Sequence, residues 1–262
     1  MNFEGKVVLI SGATGGMAQE IGKILSKKGC KLALFSRREE KLKELSEKFS
    51  NSETKCIYKK CDVKEKDQVK KAVEYTIEKF GRIDVAILSA GILVPNPIQT
   101  FDSSIIKNSI EINFMGLVYF VEQILPIMKK QGSGNITAVS TLPDKRGVPG
   151  WGAYGASKAA ISWLMESLRA EAKQRYNIDI ITVKPGSVLT PMIEDFHRTG
   201  AIESDKAAEI IVKGVEKGKK VIQFPIGQVL MIRAMDLFPP VAYDLFPVEP
   251  QKGEGYPEVE EK

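Results

Sequence analysis

Tyr154 and Lys158 stand four residues apart in the run Tyr154-Gly155-Ala156-Ser157-Lys158. On a helix, that spacing puts them one turn apart on the same face, with the ammonium beside the phenol. A tyrosine of pKa about 10 is a poor acid-base group at neutral pH. A cation ~4 Å away, at an effective dielectric near 20, favours the phenolate by up to about 4 kcal/mol, or roughly three pK units. The pair then approaches the range in which a side chain exchanges a proton with a reacting group. Upstream, a strand-like run ends in two hydroxyl residues, Ser140 and Thr141.

A second kind of chemistry is written near the start of the chain. The apolar run Val7 to Ile10 leads straight into Ser11-Gly12-Ala13-Thr14-Gly15-Gly16-Met17-Ala18 and then into helical spacing. Glycines in such a strand-to-helix turn let the backbone approach a pyrophosphate, and the helix N-terminus attracts the anion. The spacing of Gly12 and Gly16 is not the usual G-x-G-x-x-G, so a merely tight turn is the competing reading. At the end of the second strand, where an NAD site would place an acid, the sequence has Ser36, Arg37 and Arg38. Two guanidiniums there suit the 2′-phosphate of NADP, each well-formed charge-assisted bond contributing roughly 1.5 to 3 kcal/mol. The other reading makes them solvated residues opening the next helix, where cations are mildly unfavourable.

These groups need a scaffold. Short β-branched runs alternate with amphipathic helices through residue 224, which predicts a Rossmann-type α/β fold, a doubly wound parallel sheet with helices on both faces. Seven strands are expected, at Val7 to Ile10, Leu32 to Phe35, Cys56 to Lys59, Ile83 to Leu88, Ile136 to Val139, Ile178 to Val183 and Val221 to Phe224. Crossover helices show in the spacings Ala18/Ile21/Leu25, Leu42/Leu45/Phe49 and Val69/Val73/Ile77/Phe80, with Gly29 and Gly81 as stops. Two longer helical stretches, Asp102 to Lys130 and Tyr154 to Tyr176, carry wider apolar faces.

Composition narrows the classes further. The chain of 262 residues, 43% hydrophobic and 27% charged, is long enough for a sizeable core and rules out a disordered, collagen-like or coiled-coil protein. A net charge of +5 with both signs interspersed gives no stripe for a duplex, so nucleic acid is not an expected partner. Three irregularly spaced cysteines, Cys30, Cys56 and Cys61, with no histidine near them, form neither a disulfide framework nor a zinc site; a reduced cytoplasmic chain without a metal is expected. The N-terminal apolar run is too short for a signal peptide or membrane span.

The joint order of motifs resembles the short-chain dehydrogenase/reductase family, NADP-preferring and of the branch with Tyr-x-x-x-Lys. The resemblance rests on the Gly12/Gly16 turn, Asp62-Val63 after strand three, Ser89-Ala90-Gly91 after strand four, Asn113 in the long helix, Tyr154 to Lys158, and Pro185-Gly186-Ser187-Val188-Leu189-Thr190 after strand six, and it covers about residues 5 to 224. It implies that Tyr154 donates a proton to a carbonyl, that Lys158 lowers the tyrosine pKa and binds the nicotinamide ribose, and that Asn113 holds a relay water. Thr141 falls at the family's catalytic serine, with Ser140 as the competitor. The dinucleotide would lie along Gly12, Thr14, Gly15, Gly16, Met17, Arg37, Arg38, Asp62, Val63, Ser89, Ala90, Gly91, Tyr154, Lys158, Pro185, Gly186, Val188 and Thr190. Departures are Ala18 for the last glycine of the turn, Ser89 for an asparagine, and Leu142-Pro143-Asp144 for small residues on the substrate side.

The implied activity is reversible reduction of an apolar carbonyl compound to a secondary alcohol with NADPH. Leu93, Val94, Pro95, Pro143, Val148 and Trp151, with the loop from Pro191 to Glu203, suggest an apolar pocket; Trp151 either lines it or packs beneath it. His197 reads as a solvent-facing loop residue or a substrate contact. The long helices resemble those that pair in the family's homodimers and homotetramers. Two other classes remain at this stage: a catalytically silent NADP-binding sensor, and a protein docking on a partner or membrane surface. The domain is expected to span 1–224, followed by an apolar extension, 225–250, and an acidic tail, 251–262. The extension is too charged and too interrupted by Pro239 and Pro240 to span a membrane, and is read as a pocket or interface cover before a membrane contact.

Overall fold

The computed structural model describes residues 1–51, 54–193, 200–239 and 241. The strands are β1 (Val7–Ser11), β2 (Lys31–Ser36), β3 (Cys56–Lys60), β4 (Val85–Leu88), β5 (Gly134–Val139), β6 (Ile178–Pro185), the short β7 (Val188–Leu189) and β8 (Ile202–Glu203), and β9 (Val221–Phe224). Seven of them form one parallel sheet in the order β3-β2-β1-β4-β5-β6-β9. Chain direction across the sheet reverses between β1 and β4, and a crevice opens there at the C-terminal ends of the strands, as it does in doubly wound sheets generally. β7 and β8 pair separately.

Helices α1 (Gly16–Ser26), α2 (Glu39–Phe49) and α7 (Ser204–Glu216) cover one face; α3 (Lys66–Phe80), α5 (Gly116–Gln131) and α6 (Gly152–Tyr176) cover the other. The central strands are apolar on both sides because both faces are buried, whereas the edge strand β3 ends in the exposed Lys59 and Lys60. In β1, Val8 and Ile10 pack with Ile21, Leu25, Ile211 and Val215, while Leu9 packs through the other face with Phe120 and Ile124. The sheet is therefore the middle layer of a single domain.

The stretch expected as one helix from Asp102 divides in three: α4 (Ser103–Ser109), a π-helical turn at Ile110–Met115, and α5. Asp102 caps α4, its side chain accepting from the Ser104 N–H at 2.8 Å. The run Ser103–Gln131 is long and apolar enough to cross a membrane by length and composition. Phe120, Ile124 and Met128 are instead fully buried in the core beneath the sheet. α6 begins at Gly152, two residues ahead of Tyr154, so the tyrosine sits in the first turn. After β9 comes α8 (Ile226–Met235).

Candidate active site

A cleft of about 1800 Å³ runs along the C-terminal ends of the strands. That is larger than the ~300–1,000 Å³ of a typical single-ligand site, which leaves room for a dinucleotide and a second molecule. Its wall includes each cofactor-binding residue that the sequence nominates, together with Thr141 and the pocket residues Leu93, Pro143, Val148 and Trp151. Trp151 thus lines the cleft. His197 lies outside the described residues, as do 242–262.

At one end, the turn from β1 to α1 is held against the loop after β4. Gly12 has φ 66°, and a Cβ there would lie 2.6 Å from Ala90 Cα, so only glycine fits. Gly15 is the N-cap of α1 and no side chain caps the helix. Its first N–H groups therefore face the cleft with the positive end of the helix dipole behind them. Ala18 in place of glycine is accommodated in the core at 1% exposure.

Arg38 is built into the same corner. Its Nε donates to Thr14 Oγ1 at 3.1 Å and its Nη2 to Thr14 Oγ1 at 2.9 Å and to the Thr14 carbonyl. Thr14 Oγ1 in turn donates to Ser36 Oγ at 3.0 Å, and Ser36 Oγ accepts from the Arg38 N–H at 3.2 Å. Arg38 also occupies the N-cap position of α2, whose first turn holds Glu39 and Glu40 to meet the dipole. Arg37 is exposed on the cleft wall.

The chemical centre is assembled from β5 and α6. Lys158 is 4% exposed, and its Nζ donates to the Val139 carbonyl at 2.9 Å. Burial lowers its pKa to about 8, because the charged form is the one that loses hydration. The Nζ stands 5.8 Å from the centre of the Tyr154 ring, as the four-residue spacing requires. A Cβ on Gly91 would come within 3.3 Å of that Nζ and 3.1 Å of Asn113 Oδ1, so the bare backbone after β4 makes room for both.

The two hydroxyls at the end of β5 separate. Ser140 Oγ donates to the Lys158 carbonyl at 2.8 Å and lies 2.8 Å from Ser162 Oγ, so it is committed to fastening α6. Thr141 Oγ1 has no hydrogen-bond partner among the described residues. Both residues line the cleft, but of the two hydroxyls only that of Thr141 is left without a partner among the described residues.

Asn113 is the one nominated catalytic residue that does not line the cleft. It is 1% exposed, in the π-helical turn. Its Oδ1 accepts from the Ile92 N–H at 2.7 Å, and its Nδ2 donates to the Ile92 carbonyl at 3.0 Å and to Ser157 Oγ at 2.9 Å. Ser157 Oγ closes the chain onto the Tyr154 carbonyl at 2.7 Å. Both amide hydrogens are spent, so the side chain braces the loop after β4 and the turn carrying Tyr154.

Residues that sequence reasoning missed come from the loop after β5 and from α8: Arg146, Gln228, Met231 and Ile232. Gln228 Oε1 accepts from the Ser187 N–H at 2.8 Å and its Nε2 donates to the Gly200 carbonyl at 3.1 Å, which locks α8 over the segment after β6. The apolar surplus of the stretch signalled a cover, but no spacing identified which side chains face inward. Asp144 is buried against Lys184 in an ion pair that holds the same loop to β6.

Comparison with known proteins places this geometry. Residues 6–200 match the family described as short chain dehydrogenase. An uncharacterized oxidoreductase of Listeria monocytogenes is 31% identical over 242 residues, covering 87% of this chain and 98% of that protein. A short chain dehydrogenase/reductase of Burkholderia phymatum, solved with NAD, has a TM-score of 0.83 at 19% identity, over 96% of this chain and 99% of the other. An alcohol dehydrogenase of Thermococcus sibiricus, solved with 5-hydroxy-NADP, has a TM-score of 0.73 at 22% identity, over 84% and 95%. The two structures establish likeness of fold.

Proposed function

Since the chain belongs to the short-chain dehydrogenase family, we propose that it is an NADP(H)-dependent oxidoreductase that interconverts a carbonyl of an apolar substrate and a secondary alcohol, with Tyr154 as acid and base. The observation that carries this is the buried Lys158 ammonium, fixed to Val139 and set beside the Tyr154 ring.

The residues fit a nicotinamide dinucleotide: a glycine turn that a Cβ would fill, an uncapped helix start, and two arginines at the end of β2. Gly15 to Met17 would hold the pyrophosphate, Arg37 and Arg38 the 2′-phosphate, and Asp62 with Val63 the adenine. When bound, the cofactor supplies the hydride. Tyr154 gives its proton to the substrate oxygen, and Lys158 stabilises the phenolate left behind. Thr141 donates a hydrogen bond to that same oxygen, where charge develops. Asn113 and Ser157 keep the tyrosine turn in register. α8 and the loop after β5 would line the substrate at this end of the cleft.

The three free cysteines are buried, and burial pushes each pKa up to about 12, which makes them unreactive and consistent with a cytoplasmic setting. Trp163, 78% exposed on α6, favours assembly into a homodimer or homotetramer through the long helices. NADPH oxidation across a panel of ketones and aldehydes tests the activity; turnover of at least one compound is expected, and cofactor binding with none turned over would favour a silent sensor.

A further inference from the structure

The substrate end of the cleft is apolar, formed by Leu93, Val148, Trp151, Met231 and Ile232, yet it includes a cation that the chemistry above does not use. Arg146, on the loop after β5, is half-buried. Its Nη2 donates to the main-chain carbonyls of Asp236, at 3.0 Å, and Phe238, just beyond α8. Those two bonds use both hydrogens of Nη2. The Nε hydrogen and the two on Nη1 have no partner among the described residues. A guanidinium keeps its charge at any ordinary pH, so these donors are available to an anion that enters the cleft.

The surroundings share its sign. The Asp236 carboxylate is held by Arg233 Nη1 at 2.7 Å and approached by Lys145 Nζ at 3.9 Å, so three cations gather about one acid. The other nearby acid, Asp144, is paired with Lys184. Because two carbonyls already fix the guanidinium, an incoming anion would meet donors whose ordering cost has been met by the fold.

We propose that the substrate reduced beside Tyr154 carries a carboxylate, which Arg146 holds while the apolar body lies against Val148, Trp151 and Met231. This rests on the reductase reading given above, and deepens it to an apolar oxo-acid.

The test uses the full chain with NADPH and a series of methyl-ketone carboxylates of increasing chain length, each beside its methyl ester. At the best chain length, kcat/KM for the acid is expected to exceed that for the ester by about tenfold, or about 1.4 kcal/mol. Arg146→Met should reduce the acid reaction by about tenfold more than the ester reaction, and Arg146→Lys should restore part of the preference. Equal or better use of the esters, or a Met variant that keeps the acid preference, would overturn the assignment. Should neither form be turned over, the reductase reading fails, and the anion site is then judged by binding of the same carboxylates to the NADPH-loaded protein. Binding that Arg146→Met abolishes would support the site, and binding that it leaves unchanged, or no binding at all, would overturn it.

Discussion

The Nζ of Lys158 donates to the main-chain carbonyl of Val139 at 2.9 Å, tying the helix that carries Tyr154 to the last residue of the strand that leads into Thr141. One side chain thus sets the distance between the acid and the hydroxyl that would act on the same oxygen. The arrangement requires a charged amine at 4% exposure.

That burial has a pH signature. Lys158 has a folded pKa of about 8 against an ordinary value of 10.5, so between these values the unfolded chain binds the proton more tightly than the folded one. The cost of burying the charge is fully present below pH 8 and fades as pH rises toward 10.5, a contribution of about 3 kcal/mol at most. The stability difference between wild type and Lys158→Met, measured by urea denaturation without cofactor, should therefore shift in favour of wild type from pH 8 to 10. A difference that stays flat over that range would show the amine to be solvated.

Arg37 and Arg38 are both exposed on the wall but should behave differently, because the Arg38 guanidinium is bonded to Thr14. NADPH should bind about a hundredfold more tightly than NADH, near 2.7 kcal/mol. Arg37→Asp should remove most of that preference while sparing NADH. Arg38→Ala should weaken both cofactors, since it also releases the glycine turn. Fluorescence titration with each cofactor checks this, and equal affinities in the wild type would contradict it.

The central strands were legible because they are buried on both faces and read as apolar runs, as in β1 and β4, and the edge strands β3 and β9, partly exposed, because short β-branched runs continue the same rhythm. The glycine turn and the Tyr154/Lys158 pair were legible because their chemistry depends on short local spacing. The π-helical turn around Asn113 was not, since nothing in Ile110 to Met115 departs from helical composition; what distinguishes it is a tertiary bond to Ile92. The choice between Ser140 and Thr141 was open for the same kind of reason, because Ser162, which claims Ser140, lies on another element. Arg146 and Gln228 were invisible, as their partners sit far along the chain.

At the opposite end of the sheet, Asp84 is 7% exposed and accepts from the Val7 N–H at 2.9 Å and from Arg82 Nη2 at 2.7 Å, with Lys6 at 3.6 Å. It joins the starts of β1 and β4. Asp84→Ala should destabilise the protein by about 2 kcal/mol, chiefly because it leaves the buried Val7 N–H without its acceptor, the Arg82 and Lys6 cations being open to solvent. Chemical denaturation measures this, and a loss under about 1 kcal/mol would show that water replaces the carboxylate.

Removing residues 226–262 uncovers the segment after β6 that Gln228 holds. The truncated protein should still bind NADPH but lose most of its turnover. Full activity in a soluble truncated protein would show that α8 is not part of the site.

The central claim, that Tyr154 delivers the proton, is tested most directly by comparing Tyr154→Phe with wild type in carbonyl reduction at saturating NADPH, alongside NADPH affinity. The side chain lost is a single hydroxyl, so affinity should be nearly unchanged while turnover falls by at least about a hundredfold. A Phe variant that retains more than about a tenth of wild-type turnover would contradict the assignment, since a general acid contributes at least that much.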